Sequence, residues 1–390
     1  MIKSKDALKI ILNNSKPLGT EAIALTAALG RVLAENIYSD VNIPPFNRSA
    51  MDGFAINFKD KSKIFTVIED IPAGKVPEKT ISSGKCARIM TGAMLPQGAD
   101  KVVMVENTKQ ISHNKMQIVK AEKKSNVSLQ GEDVKKGELI LKKGTKIRAQ
   151  EAAMLASVGK PTVKVLRQPK VAIISTGSEL AEPSQTPKPG QIRNSNSSML
   201  LVQLKRLGIE GIYLGIAKDN FTATKQLVSK GLAQADILIL SGGVSVGDYD
   251  FVREVLEACG VKILFNKVAI KPGKPTVFGK YGDKTVFGLP GNPVSVLIIF
   301  DLFVVPAIDK IVGRITKSKL TSLRLLKNFQ RRNANREQYF PIQITKSGAR
   351  PLKFHGSAHM QALTQADGIM HIAKGIKNLK KGTLVNVRPI

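Results

Sequence analysis

The stretch Ala235–Val252, ADILILSGGVSVGDYDFV, decides the fold. Ala235–Leu240 is a short apolar run, as expected of a strand buried on both faces. Gly242, Gly243 and Gly247 then permit a backbone turn that side chains would block. A helix follows, with Phe251, Val252, Val255, Leu256 and Cys259 on one face. Amides at a strand-to-helix turn, here including Ser245, point toward bound anions, and the helix dipole adds to the attraction. Asp248 and Asp250 stand at the helix start. Asp248 reads as a cap. Asp250 beside an anion site implies a divalent cation, because a carboxylate alone repels phosphate.

Neighbouring segments repeat this logic. In KVAIKPGKP (267–275), Lys267 and Lys271 flank an apolar VAI strand. Side chains alternate along a strand, so residues four apart face one side and both reach one anion. Lys274 lies in the following loop and shares that task. In GLPGNP (288–293), Pro290 and Pro293 bracket Gly291 and Asn292. Fixed φ angles make this loop a stiff support for a helix beginning near Val294. ISTGSEL (174–180) ends a strand at Gly177 and presents Glu179 at its carboxyl end. GQIRNSN (190–196) offers Asn194, Ser195 and Asn196 as helix caps or ligand groups. Asp219, in AKDN, reads as a cap or a ligand. Together the segments form a site for a phosphorylated, metal-bound anion.

From Lys170 to Gly313 strands alternate with helices, which predicts a mostly parallel sheet covered on both faces. Ligands of such sheets bind at the carboxyl ends of the strands, where these glycine motifs lie. The expected architecture is a multidomain α/β protein with a central doubly wound, mostly parallel α/β domain at 169–318. An inserted β-rich domain is expected at 47–140 and a small β-barrel-like domain at 319–390. A helical N-terminal segment is expected over 1–46, grouped with 141–168 as one discontinuous domain. Its helical spacing is read from Ala7, Leu8, Ile10 and Ile11, then from Leu25, Ala28, Leu29, Val32 and Leu33. KKGELI (135–140) and KKGTLV (380–385) are read as shared turn chemistry rather than a repeat.

Composition narrows the function classes. At 390 residues the chain exceeds one ordinary core. The most apolar stretch, Val294–Val305, contains Asp301 and is too short for a membrane span, which needs about 20 apolar residues. The N-terminus, MIKSKDALKIILNN, lacks the apolar core of a signal peptide. Two unrelated cysteines, Cys86 and Cys259, give no disulfide framework. A cytoplasmic protein is therefore expected. The net charge of +30 suggests a nucleic acid or an acidic membrane surface. Against this, the lysines are dispersed, and the 5% of aromatic residues includes no Trp for bases to stack on. No specific nucleic acid is expected, and the field serves to capture an anionic substrate.

PPFNRSAMDGFA (44–55) and IMTGAMLPQGADKVVMVE (89–106) read only as turns by themselves. With GEDV, ISTGSEL, GQIRNSN, SGGVSVGDYDFV, KVAIKPGKP and GLPGNPVSV they form eight ordered motifs. That series resembles the molybdopterin molybdenumtransferases, the bacterial MoeA proteins related to the gephyrin E domain, over nearly the whole chain. The resemblance implies a molybdopterin-binding central domain in a four-domain, elongated homodimer. The implied enzyme is a transferase of molybdenum cofactor biosynthesis that inserts molybdate into adenylylated molybdopterin with release of AMP. It implies that Glu179, Asp219 and Asp250 hold Mg2+ or another divalent cation, or organise the pyrophosphate. Lys267 and Lys271 bind phosphates or molybdate, and Pro290 and Pro293 shape the cleft. Asp52, Thr91 and Asp133 complete the cleft from the partner subunit. Implied partners are the molybdopterin adenylyltransferase and acceptor molybdoenzymes. Departures from the family pattern stand at Asn47, where an aspartate is common, and at Ser128 and Pro341, where arginines are. The alternatives are the adenylyltransferase itself, which corresponds to residues 170–313 alone, and a non-enzymatic molybdopterin-binding scaffold.

Overall fold

Apolar residues at consecutive positions of one strand must be covered on both faces, and the central domain does this. The computed structural model describes residues 1–244, 252–314 and 320–390. Six strands, β1 (Val171–Thr176), β2 (Gly211–Ala217), β3 (Ile237–Ser241), β4 (Lys262–Phe265), β5 (Val277–Tyr281) and β6 (Lys284–Leu289), form one sheet in the order β2-β1-β3-β6-β5-β4. The first four of that order are mutually parallel, while β5 and β4 add as antiparallel neighbours. The expected doubly wound, mostly parallel domain is therefore present.

Alternation along each strand sends residues to opposite cores. Val171, Ile173, Ile237, Ile239, Phe287 and Leu289 pack with Leu200 and Leu204 of helix α1 (Ser195–Arg206) and with the long helix that starts as α4 (Pro293–Ile299). Ala172, Ile174, Leu238, Leu240 and Val286 pack on the other face with α2 (Phe221–Gln234) and α3 (Val252–Ala258). On the strand-to-helix segment, Val252, Val255 and Leu256 are buried as the apolar face predicts. Ser245, Gly247, Asp248, Asp250 and Phe251 lie outside the described residues.

By contact the chain divides into two units. One comprises Met1–Glu21, Gly30–Val32 and Val165–Ile390; the other comprises Ala22–Leu29 and Leu33–Lys164. The N-terminal helix Ser4–Asn13 belongs to the first, with Ala7 and Ile11 fully buried in the central core. The sequence groups this helix with residues 141–168 instead. The helix Ala149–Ser157, within the stretch Ile147–Gly159 whose sequence reads as helical, packs in the second unit on a single 3-10 turn at Leu25–Ala27.

That turn corrects the helical expectation for residues 14–46. Thr20–Ala24 is a strand, and no α-helix follows before Ile37–Tyr38, also a strand. Gly30 takes φ +76°, which interrupts a helix. The amides of Leu33 and Ala34 donate to the carbonyls of Thr145 and Lys164 rather than one turn back. Helical spacing of apolar residues was satisfied here by irregular chain held on neighbouring segments.

The rest of the second unit is β-rich. Its six-stranded sheet has Phe54, Phe65, Val103 and Met116 on one face and Ala55, Ile71, Ala87 and Val102 on the other. The C-terminal strands Thr321–Arg324, Glu337–Thr345, Gly348–Pro351, Gly368–Ile372 and Leu384–Pro389 curl around Leu325, Ile342, Met370 and Val385. A bridge between Leu325 and Ala349 brings the sheet edges together, which gives the expected barrel-like closure. Both KKG turns place their glycine at positive φ, +83° at Gly137 and +90° at Gly382. Each is closed by an amide-to-carbonyl bond, Glu138 to Lys135 and Thr383 to Lys380.

Candidate anion-binding site

The carboxyl ends of β1, β3 and β6 meet in an open cleft of about 310 Å3. It is lined by Gly177, Glu179, Asp219, Gly242, Gly243, Pro290, Gly291 and Asn292. Thr176, Val244 and Pro275 complete the lining. These three were not singled out from the sequence, although all of them lie within the quoted motifs.

Close approach of two backbones explains the glycines. At Gly242, with φ +99°, a Cβ would fall 2.3 Å from the Thr176 carbonyl oxygen. At Gly243 it would fall 2.8 Å from Thr176 Oγ1. The Gly242 amide donates to the Leu289 carbonyl at 3.0 Å, tying the β3 turn to the end of β6. On the other side of β1, the Gly177 amide donates to the Ala217 carbonyl at 3.0 Å.

The acidic wall is built on these turns. Asp219 Oδ2 accepts the Ser178 amide at 2.8 Å, and Ser178 Oγ accepts the Asp219 amide at 2.9 Å. This reciprocal pair locks the loops after β1 and β2. The cap of α2 is Asn220, whose Oδ1 accepts the Ala223 amide at 3.1 Å, so the cap reading of Asp219 is corrected. Glu179 stands beside it on the cleft wall. Two carboxylates on one wall offer the oxygen donors that a hard divalent cation prefers. Among the described residues, no three His, Cys, Asp or Glu side chains gather as metal ligands, and Asp250 is not among those residues.

Behind the cleft, Asn194 caps α1: its Oδ1 accepts from Ser175 Oγ at 3.1 Å and from the Ser197 amide at 3.3 Å. Asn196 Nδ2 donates to Ser241 Oγ at 2.9 Å and to the Gly291 carbonyl at 2.7 Å. It thereby sets the spacing of two lining loops. Ser195 and Pro293 open α1 and α4 and do not line the cleft.

Lys267, Lys271 and Lys274 also lie outside the lining. The expected VAI strand is corrected: the strand is only Ile270–Lys271, because the Ile270 amide turns back to the Val268 carbonyl at 2.9 Å. Burial still alternates, with Val268 and Ile270 buried, Lys267 half-buried and Lys271 exposed.

In the second unit, Asp52 Oδ1 accepts the Thr91 amide at 2.6 Å and Thr91 Oγ1 at 2.7 Å. These two bonds, the amide first, hold the Asp52 carboxyl below its ordinary value. Asp133 is exposed and donates its amide to the Ile43 carbonyl at 3.0 Å. Asn47 Oδ1 accepts the Gln130 amide at 2.7 Å. Ser128 pairs in antiparallel register with Arg48, so that rung of the ladder carries a guanidinium on the opposite strand.

A doubly wound sheet with glycine turns, carboxylates and a stiff proline loop at its strand ends defines the class of α/β proteins whose ligand site lies at the carboxyl ends of the strands. Residues 2–159 match the model of the MoeA N-terminal region (domain I and II), residues 172–310 a probable molybdopterin binding domain, and residues 323–390 the MoeA C-terminal region (domain IV). A molybdopterin molybdenumtransferase of Staphylococcus epidermidis is 38% identical over 99% of this chain and 95% of its own length. One from Bacillus subtilis is 36% identical over 98% of this chain and 92% of its own. A crystal structure of a molybdopterin biosynthesis MoeA protein from Pyrococcus horikoshii superposes with a TM-score of 0.86 at 34% identity, covering 100% of this chain and 99% of that one. This chain belongs to the MoeA family of molybdopterin molybdenumtransferases.

Proposed function

We propose that this chain inserts molybdate into adenylylated molybdopterin, releasing AMP and leaving molybdenum on the dithiolene sulfurs. The observation that carries this reading is the strand-end cleft, which glycine-rich turns line together with Glu179 and Asp219. The match of all three MoeA regions along one chain favours insertion over adenylylation, which would need the central domain alone.

Cleavage of a pyrophosphate bond needs charge neutralised on its oxygens and an attacking oxygen held in line. No covalent nucleophile is required. Glu179 and Asp219, with Asp250, are the residues we assign to a divalent cation such as Mg2+, which when bound offsets phosphate charge. Lys267 and Lys271 bind phosphate or molybdate oxygens, and Lys274 shares that role. We assign substrate contact to Gly177, Gly242, Gly243, Ser245, Gly247, Gly291 and Asn292. Ser195 and Asn196 support them, and Pro290 and Pro293 fix the loop shape. Molybdate oxygen or water supplies the attack. Asp52, held ionised by Thr91, and Asp133 belong to the same reaction. The reading includes a cytoplasmic homodimer that meets the adenylyltransferase and acceptor molybdoenzymes. Among the described residues no helix is long and apolar enough to cross a membrane.

The test is release of AMP from adenylylated molybdopterin in the presence of magnesium and molybdate. Molybdate-dependent release is expected, with loss in Lys271→Ala and in Asp250→Ala. Normal release in both variants refutes the division of labour. Binding without release supports the scaffold instead.

A further inference from the structure

The segment that carries Lys267 and Lys271 is gripped on one edge by the N-terminal segment and on the other by the C-terminal barrel. On one edge Ile2 forms a parallel bridge with Val268: the Ile2 amide donates to the Lys267 carbonyl at 3.0 Å, and the Ala269 amide donates to the Ile2 carbonyl at 2.7 Å. On the other edge Ile270 and Lys271 pair with Glu337 and Gln338 of the C-terminal barrel. There the Glu337 amide donates to the Ala269 carbonyl at 3.2 Å, and Arg336 Nη1 donates to the Ile270 carbonyl at 3.0 Å.

The two grips are joined to each other. Glu337 Oε2 accepts from Ser4 Oγ at 2.7 Å and lies 3.3 Å from His371 Nε2 and 3.4 Å from the Tyr339 hydroxyl. Serine at the start of a helix ordinarily caps it. Here the cap position, Lys3, makes no side-chain bond and the Ser4 hydroxyl is given to Glu337. Glu337 thus holds the lysine segment by its backbone and the N-terminal segment by its carboxylate.

The clasp adds to the bonds the segment makes with itself, of which the Val268 amide to the Lys274 carbonyl at 3.0 Å is the longest in reach. The bend between Val268 and Ile270 interrupts the extended geometry that would fix the spacing of Lys267 and Lys271. Long lysine side chains are entropically costly to order, so the position of their backbone decides how well both amines meet one anion. We propose that Arg336 and Glu337, closed by Ser4, are positioning residues that set the backbone of Lys267 and Lys271 for the anionic substrate. This rests on the reading that those lysines bind that substrate.

The experiment uses the full chain and two readouts: calorimetric binding of inorganic molybdate alone, and AMP release with molybdate titrated. Lys271→Ala is expected to weaken molybdate binding roughly tenfold. Arg336→Met is expected to raise the molybdate KM about fivefold with kcat within about twofold, the signature of lost ground-state positioning. Ser4→Ala should give about half that effect on a logarithmic scale, and Ser4→Thr, which keeps the hydroxyl, should behave as the parent. If Lys271→Ala weakens binding while Arg336→Met and Ser4→Ala do not, the clasp is refuted and the lysine reading stands. If neither Lys267→Ala nor Lys271→Ala changes binding, the lysine reading itself fails and takes the clasp with it. If Arg336→Met lowers the melting temperature and kcat without raising KM, Arg336 is structural and the proposal is overturned.

Discussion

The carboxylates of the cleft and the neighbouring lysines are held in opposite ways. Glu179 and Asp219 ride on turns that leave adjacent strands of one sheet, and Ser178 and Asp219 lock each other directly. Lys267 and Lys271 ride on a bent segment whose neighbours are Ile2 at one end of the chain and Glu337 near the other. The first wall is a by-product of sheet formation. The lysine segment, outside the cleft lining, depends on backbone bonds to Ile2 and to Glu337. Damage to the acidic wall should therefore act locally and strongly, while damage to the lysine side should arrive from far away in sequence.

The largest expected effect sharpens the first half of that contrast. Asp219→Ala removes a cleft carboxylate, and AMP release should fall by about 10²–10³, the range for losing one preorganised electrostatic group. Asp219→Asn keeps the hydrogen bonds and removes the charge. Full activity in the asparagine variant would mean that the Ser178 lock, not the charge, is what matters. Next comes backbone. Gly242→Ala forces a Cβ to 2.3 Å from the Thr176 carbonyl at φ +99°, and should cost about 2–4 kcal/mol in urea unfolding. Gly291→Ala, whose Cβ would meet only the Gly242 Cα at 3.8 Å, should be close to neutral. Equal losses at both positions would break the argument from close approach.

Asn196→Ala removes the tie between Ser241 and Gly291 and should cost about 1–2 kcal/mol. It should raise KM for the adenylylated substrate more than it lowers kcat. The smallest effect concerns the far end of the same strands. Asp236 accepts from Arg167 Nη2 at 2.9 Å and from the Lys170 amide at 2.8 Å. Burial raises its pKa, but the Arg167 bond, the amide and the nearby positive charges together lower it below 3.8. A depressed carboxyl stabilises the fold above its unfolded value and loses that contribution as pH falls through the folded one. Asp236→Asn should thus be less stable at neutral pH by about 1 kcal/mol, with the difference fading below pH 3.8. A difference that persists at low pH would assign the effect to packing.

The same contrast explains how much could be read in advance. The four parallel strands and the helices between them follow from apolar runs and helical spacing, because each is buried by its neighbours in a repeated way, whereas the antiparallel strands Lys262–Phe265 and Val277–Tyr281 were not read. The glycine turns follow too, since their positive φ and close approach leave few other residues possible. The spacing of Leu25, Ala28, Leu29, Val32 and Leu33 misled, because Gly30 turned the chain and the amides of Leu33 and Ala34 found partners more than a hundred residues away. Asp219 was legible as a strand-end acid, but its lock with Ser178 was not, and neither was the assignment of the cap to Asn220. Pro275 entered the cleft without any signal of its own beyond its motif.

By itself the sequence determined a doubly wound domain, a β-rich insertion, a β-barrel-like end and the glycine turns of a strand-end cleft. Those features rest on local periodicity and on glycine and proline, whose backbone limits act within a few residues. Only the tertiary structure decided that Ile2 and Glu337 hold the lysine segment, that Asn196 spaces the cleft loops, and that the N-terminal helix joins the central core. Each depends on hydrogen bonds or burial between positions far apart in the chain, and a linear pattern carries no record of which distant groups will meet.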